Sequence, residues 1–271
     1  MQKIEFTKMH GLGNDFVIID RRSNKIEIND NLIQKLSDRR TGAGCDQLIT
    51  INNPENGNAD VSIDIFNPAG DKAEACGNGT RCVAKILFDE NNKKTLKILS
   101  DAGMLIAKKV GDEISVNMGK MTTDWKKIPL SEEMDPLNIP ILVEGFDKGV
   151  AVNIGNPHVV FFGKSIENIN LNQLGPKIEK HNFFPNKTNV EFIEILNSNT
   201  IKMRVWERGV GVTLACGSGA CAAVYAGWKK NLIESRAEVQ LEKGSLHINI
   251  IDEEAIMTGP AEISYNGNIQ I

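Results

Sequence analysis

"ACGNGTRCVAKIL" at residues 75–87 and "ACGSGACAAVYAG" at residues 215–227 are two versions of one motif. Each is Ala-Cys-Gly-x-Gly followed by an apolar, small-residue run, and Cys216 comes 140 positions after Cys76 in a chain of 271 residues. A motif that recurs at half the chain length points to internal duplication. Two shorter matches keep the same order: "GNDFVII" from Gly13 with "GNPHVVF" from Gly155, and "IFN" from Ile65 with "VWE" from Val205. They pair Asn14 with Asn156 and Asn67 with Glu207.

The elements around the motifs are mostly strands. "VSIDIF" from Val61, "EISVNM" from Glu113, "IKMRVWE" from Ile201 and "SLHINI" from Ser245 alternate apolar and polar residues, the signature of half-buried strands. Helix signals lie in "DNLIQKLSDRR" from Asp30, with Asp30 as its cap, and in the two runs after Ala-Cys-Gly-x-Gly. After Cys76, residues Cys82, Val83, Ile86 and Leu87 share a face; after Cys216 the run is small or apolar on almost every side, as in a helix enclosed by strands. The expected fold is α/β (α+β): two pseudo-symmetric halves from duplication, each a mixed sheet or barrel around a central helix. The halves are expected at 1–119 and 120–261, with Trp125–Pro140 as the connection and the active site in the cleft between them.

Composition narrows the function. A formal charge of −4 with scattered lysines offers no basic surface for a nucleic acid partner. No apolar run approaches a membrane span and the first residues do not resemble a leader, so no membrane partner and a cytoplasmic location are expected. Five cysteines, an odd number, read as reduced thiols rather than a disulfide framework.

A cysteine before Gly-x-Gly at a helix start sits among free backbone N–H groups. These favour a thiolate, drawing its pKa below the free value of about 8.5, and can also hold a carboxylate. Two such thiols on opposite faces of one carbon can remove a proton and deliver another, which is two-base racemisation or epimerisation. Cys45, Cys82 and Cys221 read as buried small hydrophobes. A zinc site is disfavoured because Cys76 and Cys82 point to different sides of a helix, so no metal is expected. A phosphate loop lacks the required order of residues. A cysteine hydrolase using His10 or His158 remains open, although it leaves one cysteine motif unused. "WERGVG" places Glu207 beside Arg208, an anion and a cation suited to a zwitterionic amino acid end.

The segments "KMHGLGNDF", "GAGCDQ", "FNPAG", "ACGNGTR", "GNPH", "ERGVG" and "ACGSGACAA" together resemble the diaminopimelate epimerase family nearly end to end. The resemblance implies cofactor-independent conversion of LL- to meso-diaminopimelate on the route to lysine and peptidoglycan, with Cys76 and Cys216 as acid/base groups. It implies substrate contacts at Asn14, Gln47, Asn67, Asn156, Asn189, Glu207 and Arg208. Backbone donors to the reacting carboxylate would come from Gly77, Asn78, Gly217 and Ser218, with His158 in support. It also implies a homodimer and a first half completed by a final strand at 262–271. Val212 stands where the family usually has an acidic residue, and Ala69-Gly70 where it usually has Asp-Gly. The alternative within the class is an amino acid racemase of other specificity, such as a proline racemase-like enzyme; outside it stands a binding protein without turnover.

Overall fold

The computed structural model describes residues 3–55, 57–73 and 76–270. Ala75, the first letter of the first motif, and residues 1, 2 and 271 of the expected halves lie outside them. The chain divides into two compact units, one reaching Val116 and resuming at Gly259, the other Asn117–Thr258.

The first unit runs β1 (Lys3–Gly11), β2 (Asn14–Asp20), α1 (Asp30–Ser37), β3 (Gln47–Asn52), β4 (Val61–Phe66), β5 (Lys72–Ala73), α2 (Gly77–Glu90), β6 (Thr95–Ser100) and β7 (Gly103–Val110). The chain then passes through β8 (Glu113–Lys120) into β9 (Val150–Asn153), β10 (Pro157–Gly163), α3 (Leu171–Glu179), β11 (Asn189–Asn197), β12 (Thr200–Glu207) and β13 (Gly211–Thr213). It continues with α4 (Gly217–Lys229), β14 (Arg236–Leu241), β15 (Gly244–Ile251) and β16 (Glu254–Gly259). A last strand, Glu262–Gln270, pairs antiparallel with β1 in the first unit.

The pairing rules are the same in both units. β2 is parallel to β3, as β10 is to β11; β4 is antiparallel to β3 and β5 and parallel to β6, as β12 is to β11, β13 and β14. Registers coincide as well. Phe16 faces Gln47 where His158 faces Asn189, a shift of 142, and Ile65 faces Ala73 where Val205 faces Thr213, a shift of 140. Duplication is therefore written in the hydrogen-bond ladder, and it makes Gln47 the counterpart of Asn189.

The strands that position the site are buried on both faces, as parallel strands covered by helices must be. Phe16, Val17, Ile18 and Ile19 of β2 and Val159 to Phe162 of β10 are all buried. In β12 the expected alternation holds: Ile201, Met203 and Val205 are buried while Lys202, Arg204 and Trp206 are partly exposed. Helix α4 is buried from Ala220 to Gly227 and touches β9, β10, β11, β12, β14 and β15. Its Gly and Ala content permits close approach of the strands, and Val224 and Tyr225 fill the remaining space inside them.

Four local readings change. Helix α2 is buried on more than one face: Asn78, Thr80 and Arg81 join Cys82, Val83 and Leu87 inside, whereas Ile86 is only partly covered. The α1 cap is Asn29, whose Oδ1 accepts the Leu32 N–H at 3.0 Å, and the helix ends before Arg39. Helix α3 carries Gly175 and Pro176, residues that weaken a helix signal in sequence, and it forms because Leu171 and Ile178 bury against the second unit's core. The stretch Trp125–Pro140 is more than a connection, because Ile128, Leu130 and Ile139 pack with Val159, Phe161 and Phe192.

Candidate active site

Each reactive-cysteine candidate caps a helix. Cys76 Sγ accepts the N–H of Gly79 at 3.4 Å, and Cys216 Sγ accepts the N–H of Gly219 at 3.4 Å. The capping residue normally offers an oxygen to that N–H, so a sulfur here spends the cap on holding a reactive atom at the helix start. Glycine leaves room for these neighbours three residues on: a Cβ at Gly79 would lie 2.4 Å from Ile49 Cδ1, and one at Gly219 would lie 2.8 Å from Glu191 Oε1 and 3.3 Å from Cys216 Sγ.

Around Cys76 the neighbours are amides. Asn14 Oδ1 accepts from Asn78 Nδ2 at 3.1 Å and lies 3.9 Å from Cys76 Sγ. Its amide is oriented by Asp46, which accepts Asn14 Nδ2 at 3.0 Å and so turns Oδ1 toward the cysteine. Asp46 is itself held by the Asp15 N–H at 3.1 Å and by Arg39 at 2.7 Å. Gln47 donates to Asn67 Oδ1 at 3.1 Å, and Asn67 donates to Asp71 at 2.6 Å. Gly70 closes this turn at φ +107°, where a Cβ would meet Asp30 Oδ1 at 2.9 Å. With Ala at 69, Asp71 supplies the carboxylate that holds Asn67.

Asp15 anchors this arrangement. Burial pushes its carboxyl up, but hydrogen bonds and attraction from Arg39 and Lys8 outweigh burial and hold it at about 2. A carboxyl depressed on folding stabilises the protein above its unfolded pKa, and that stabilisation is lost as pH falls from about 4 to about 2. Asp15→Asn is therefore expected to lower unfolding free energy by about 2 kcal/mol at pH 7, with the gap to wild type closing toward pH 2. Denaturant titrations across that range measure it.

Around Cys216 the neighbours form a chain. Cys216 Sγ lies 3.5 Å from Ser218 Oγ, which accepts from Asn156 Nδ2 at 3.5 Å. Asn156 Oδ1 is 2.9 Å from His158 Nε2, and His158 Nδ1 is 2.7 Å from Glu191 Oε1, both residues fully buried. Glu207 accepts from Thr213 Oγ1, and its carboxylate acts electrostatically on Cys216. Asn189 uses both ends of its amide on backbone, donating to Pro157 O at 2.9 Å and accepting the Arg208 N–H at 2.9 Å. Arg208 is exposed, with one guanidinium nitrogen on Asn186 O at 3.3 Å. Val212 is exposed on β13 opposite Trp206.

The charge at Cys216 reverses the expectation of a lowered thiol pKa. Burial pushes the thiol well above its ordinary value, and the carboxylates of Glu207 and Glu191 push it further; Ser218 and the Gly219 N–H act in the opposite direction and lose. Burial likewise pushes the Glu207 carboxyl up. The helix end alone cannot set the sign when the carboxylates of Glu191, fully buried, and Glu207, partly covered, stand beside the sulfur. Cys82 is pushed up to about 12 by burial, and Cys45 is also raised by burial, as suits packing residues.

The hydrolase pairing through His158 finds no support, since both of its ring nitrogens are engaged by Glu191 and Asn156. Sequence reading missed Asp15, Asp46, Thr213 and Glu191. Glu191 carried a signal: it shares its strand face with Ile193 in a segment buried throughout, so a carboxylate there points inward.

A duplicated α+β unit with a cysteine capping the enclosed helix of each copy defines an epimerase-type fold. Solved structures share the fold across nearly the whole chain. A phenazine biosynthesis protein of the PhzF family from Bacillus anthracis matches with a TM-score of 0.73 at 16% identity, covering 100% of both chains. A hydroxyproline epimerase from Agrobacterium vitis matches with a TM-score of 0.71 at 12% identity, covering 98% of this chain and 92% of the other. The chain belongs to the diaminopimelate epimerase family, whose model, described as Diaminopimelate epimerase, matches residues 6–123 and 150–264. It is 42% identical over 275 residues to the diaminopimelate epimerase of Pelagibacter ubique, covering 99% of each chain. No helix among the described residues is long and apolar enough to cross a membrane.

Proposed function

We propose that this protein is an isomerase that interconverts LL- and meso-diaminopimelate without a cofactor, in lysine and peptidoglycan precursor synthesis. Cys76 and Cys216 are its acid/base groups: one removes the α-proton and the other returns a proton to the opposite face of that carbon. The observation that carries the reading is the repeated cap, a thiol held at 3.4 Å by the N–H three residues on, in both copies of the unit.

A thiol needs help to take a carbon-bound proton, because the charge left behind spreads onto the adjacent carboxylate. The N–H groups at the starts of α2 and α4, from Gly77, Asn78, Gly217 and Ser218, are suited to holding that charge as it develops. Burial and the carboxylates of Glu207 and Glu191 favour the protonated form of Cys216 in the substrate-free protein, and the two thiols exchange donor and acceptor roles with the direction of the reaction. His158, fixed by Glu191, supports Cys216 through Asn156 and Ser218. Asn14, Gln47, Asn67, Asn156 and Asn189 contribute amide contacts to substrate, and Glu207 with Arg208 suits a second, non-reacting amino acid end. The reading places the enzyme in the cytoplasm as a homodimer, with all five cysteines as free thiols.

The test is incubation of reduced, EDTA-dialysed, hydroxylamine-treated protein with LL-diaminopimelate, followed by separation of stereoisomers. Undiminished formation of the meso isomer is expected. Activity that disappears with these treatments and returns with a metal or a pyridoxal cofactor contradicts the cofactor-free reading.

A further inference from the structure

We infer that Glu179 is a positioning residue for substrate specificity, which sets the Glu207–Arg208 pair for the non-reacting end of the substrate. The inference rests on the reading above that this pair receives a zwitterion.

Glu179 is the last residue of α3 and is 3% exposed. Its Oε2 accepts the Trp206 indole N–H at 2.7 Å and its Oε1 accepts the Gly209 backbone N–H at 3.1 Å. Trp206 and Gly209 immediately flank Glu207 and Arg208, so one buried carboxylate grips both sides of the dipeptide. Asn189 holds the middle through the Arg208 N–H. The indole reaches Glu179 because α3 has glycine beneath it: a Cβ at Gly175 would stand 2.4 Å from Trp206 Cγ and Cδ2. A carboxylate accepts on both oxygens at once, whereas a carboxamide offers only one accepting oxygen.

The duplication separates this role from a requirement of the fold. At the register shift of 142 the counterpart of Glu179 is Ser37, which ends α1 and accepts from the Cys45 thiol at 3.5 Å. At the shift of 140 the counterparts of Glu207 and Arg208 are Asn67 and Pro68. The first unit therefore builds the same helix, strand and turn with neither the carboxylate nor the charged pair. Clamp and pair occur together, in the second unit only.

The experiment compares wild type, Glu179→Gln, Trp206→Phe and the double variant in steady-state epimerisation of LL-diaminopimelate, with thermal unfolding of each. Contacts to a non-reacting end are made in ground and transition states alike, so their loss raises KM more than it lowers kcat. Glu179→Gln is expected to raise KM about 10-fold with kcat changed less than about 3-fold. Trp206→Phe should raise KM in the same sense, and the double variant should be less impaired than the two singles combined, since both break one contact. A merely structural role lowers the melting temperature and the active fraction while leaving KM unchanged. Unchanged KM in the folded variants overturns the inference, and Trp206→Phe decides alone if Glu179→Gln does not fold. Wild type that fails to turn over LL-diaminopimelate overturns the proposed function instead.

Discussion

Cys76→Ala and Cys216→Ala are each expected to reduce epimerisation by about 10³-fold or more while leaving the fold intact. A positioned acid or base contributes about 10² to 10⁴ in rate, and in a two-base reaction the loss of either stops inversion. The two losses do not add, so the double variant should be little worse than either single one. Cys76 lies at a partly covered helix start and Cys216 is 5% exposed, and loss of the cap contact costs each helix about 1 kcal/mol, too little to unfold the protein. Far-ultraviolet circular dichroism and thermal unfolding establish the fold; stereoisomer separation measures the rate. Each single variant retains one thiol and can still exchange the α-proton of the isomer that presents it to that thiol. Inversion at wild-type rate in either variant contradicts the two-base assignment.

Glu207→Gln is expected to lower kcat/KM about 100-fold, because hydrogen bonds to a charged group contribute about 1.5–3 kcal/mol and one to the substrate is lost. Its pH effect has a definite sign. The Glu207 carboxylate is one of the groups that raise the Cys216 thiol, alongside burial and Glu191. A neutral carboxamide removes that repulsion, so the thiolate forms at lower pH and the alkaline limb of the kcat/KM profile moves down. A profile whose alkaline limb stays in place or moves up contradicts the account of Cys216.

Much of this was legible in the chain because the decisive features are local. The Ala-Cys-Gly-x-Gly motif marks a helix start by its glycines, and the small-residue run after Cys216 marks enclosure; both follow from what fits at a helix end. The strands from Val61 and Ile201 declared themselves by alternation. What stayed hidden depends on neighbours distant in sequence. Helix α3 was obscured by Pro176 and by Gly175, and the reason for the glycine is contact with Trp206 some thirty positions on. The Cys216 thiol was expected to fall because only its own helix end was visible, whereas Glu191 and Glu207 reach it from β11 and β12. Asp46 orients Asn14 across more than thirty residues of chain. Asn189 paired with Gln47 only through the ladder register, since the side chains share no sequence motif.

The most direct test of the two-base claim follows LL-diaminopimelate in D2O by proton NMR, with reduced wild-type protein and no added cofactor. The account predicts that the inverted carbon of the first meso product carries deuterium while the remaining LL substrate keeps its α-protons, because removal and delivery belong to different thiols. Deuterium entering the recovered LL substrate as fast as meso isomer forms, or the absence of inversion by folded protein, would contradict it.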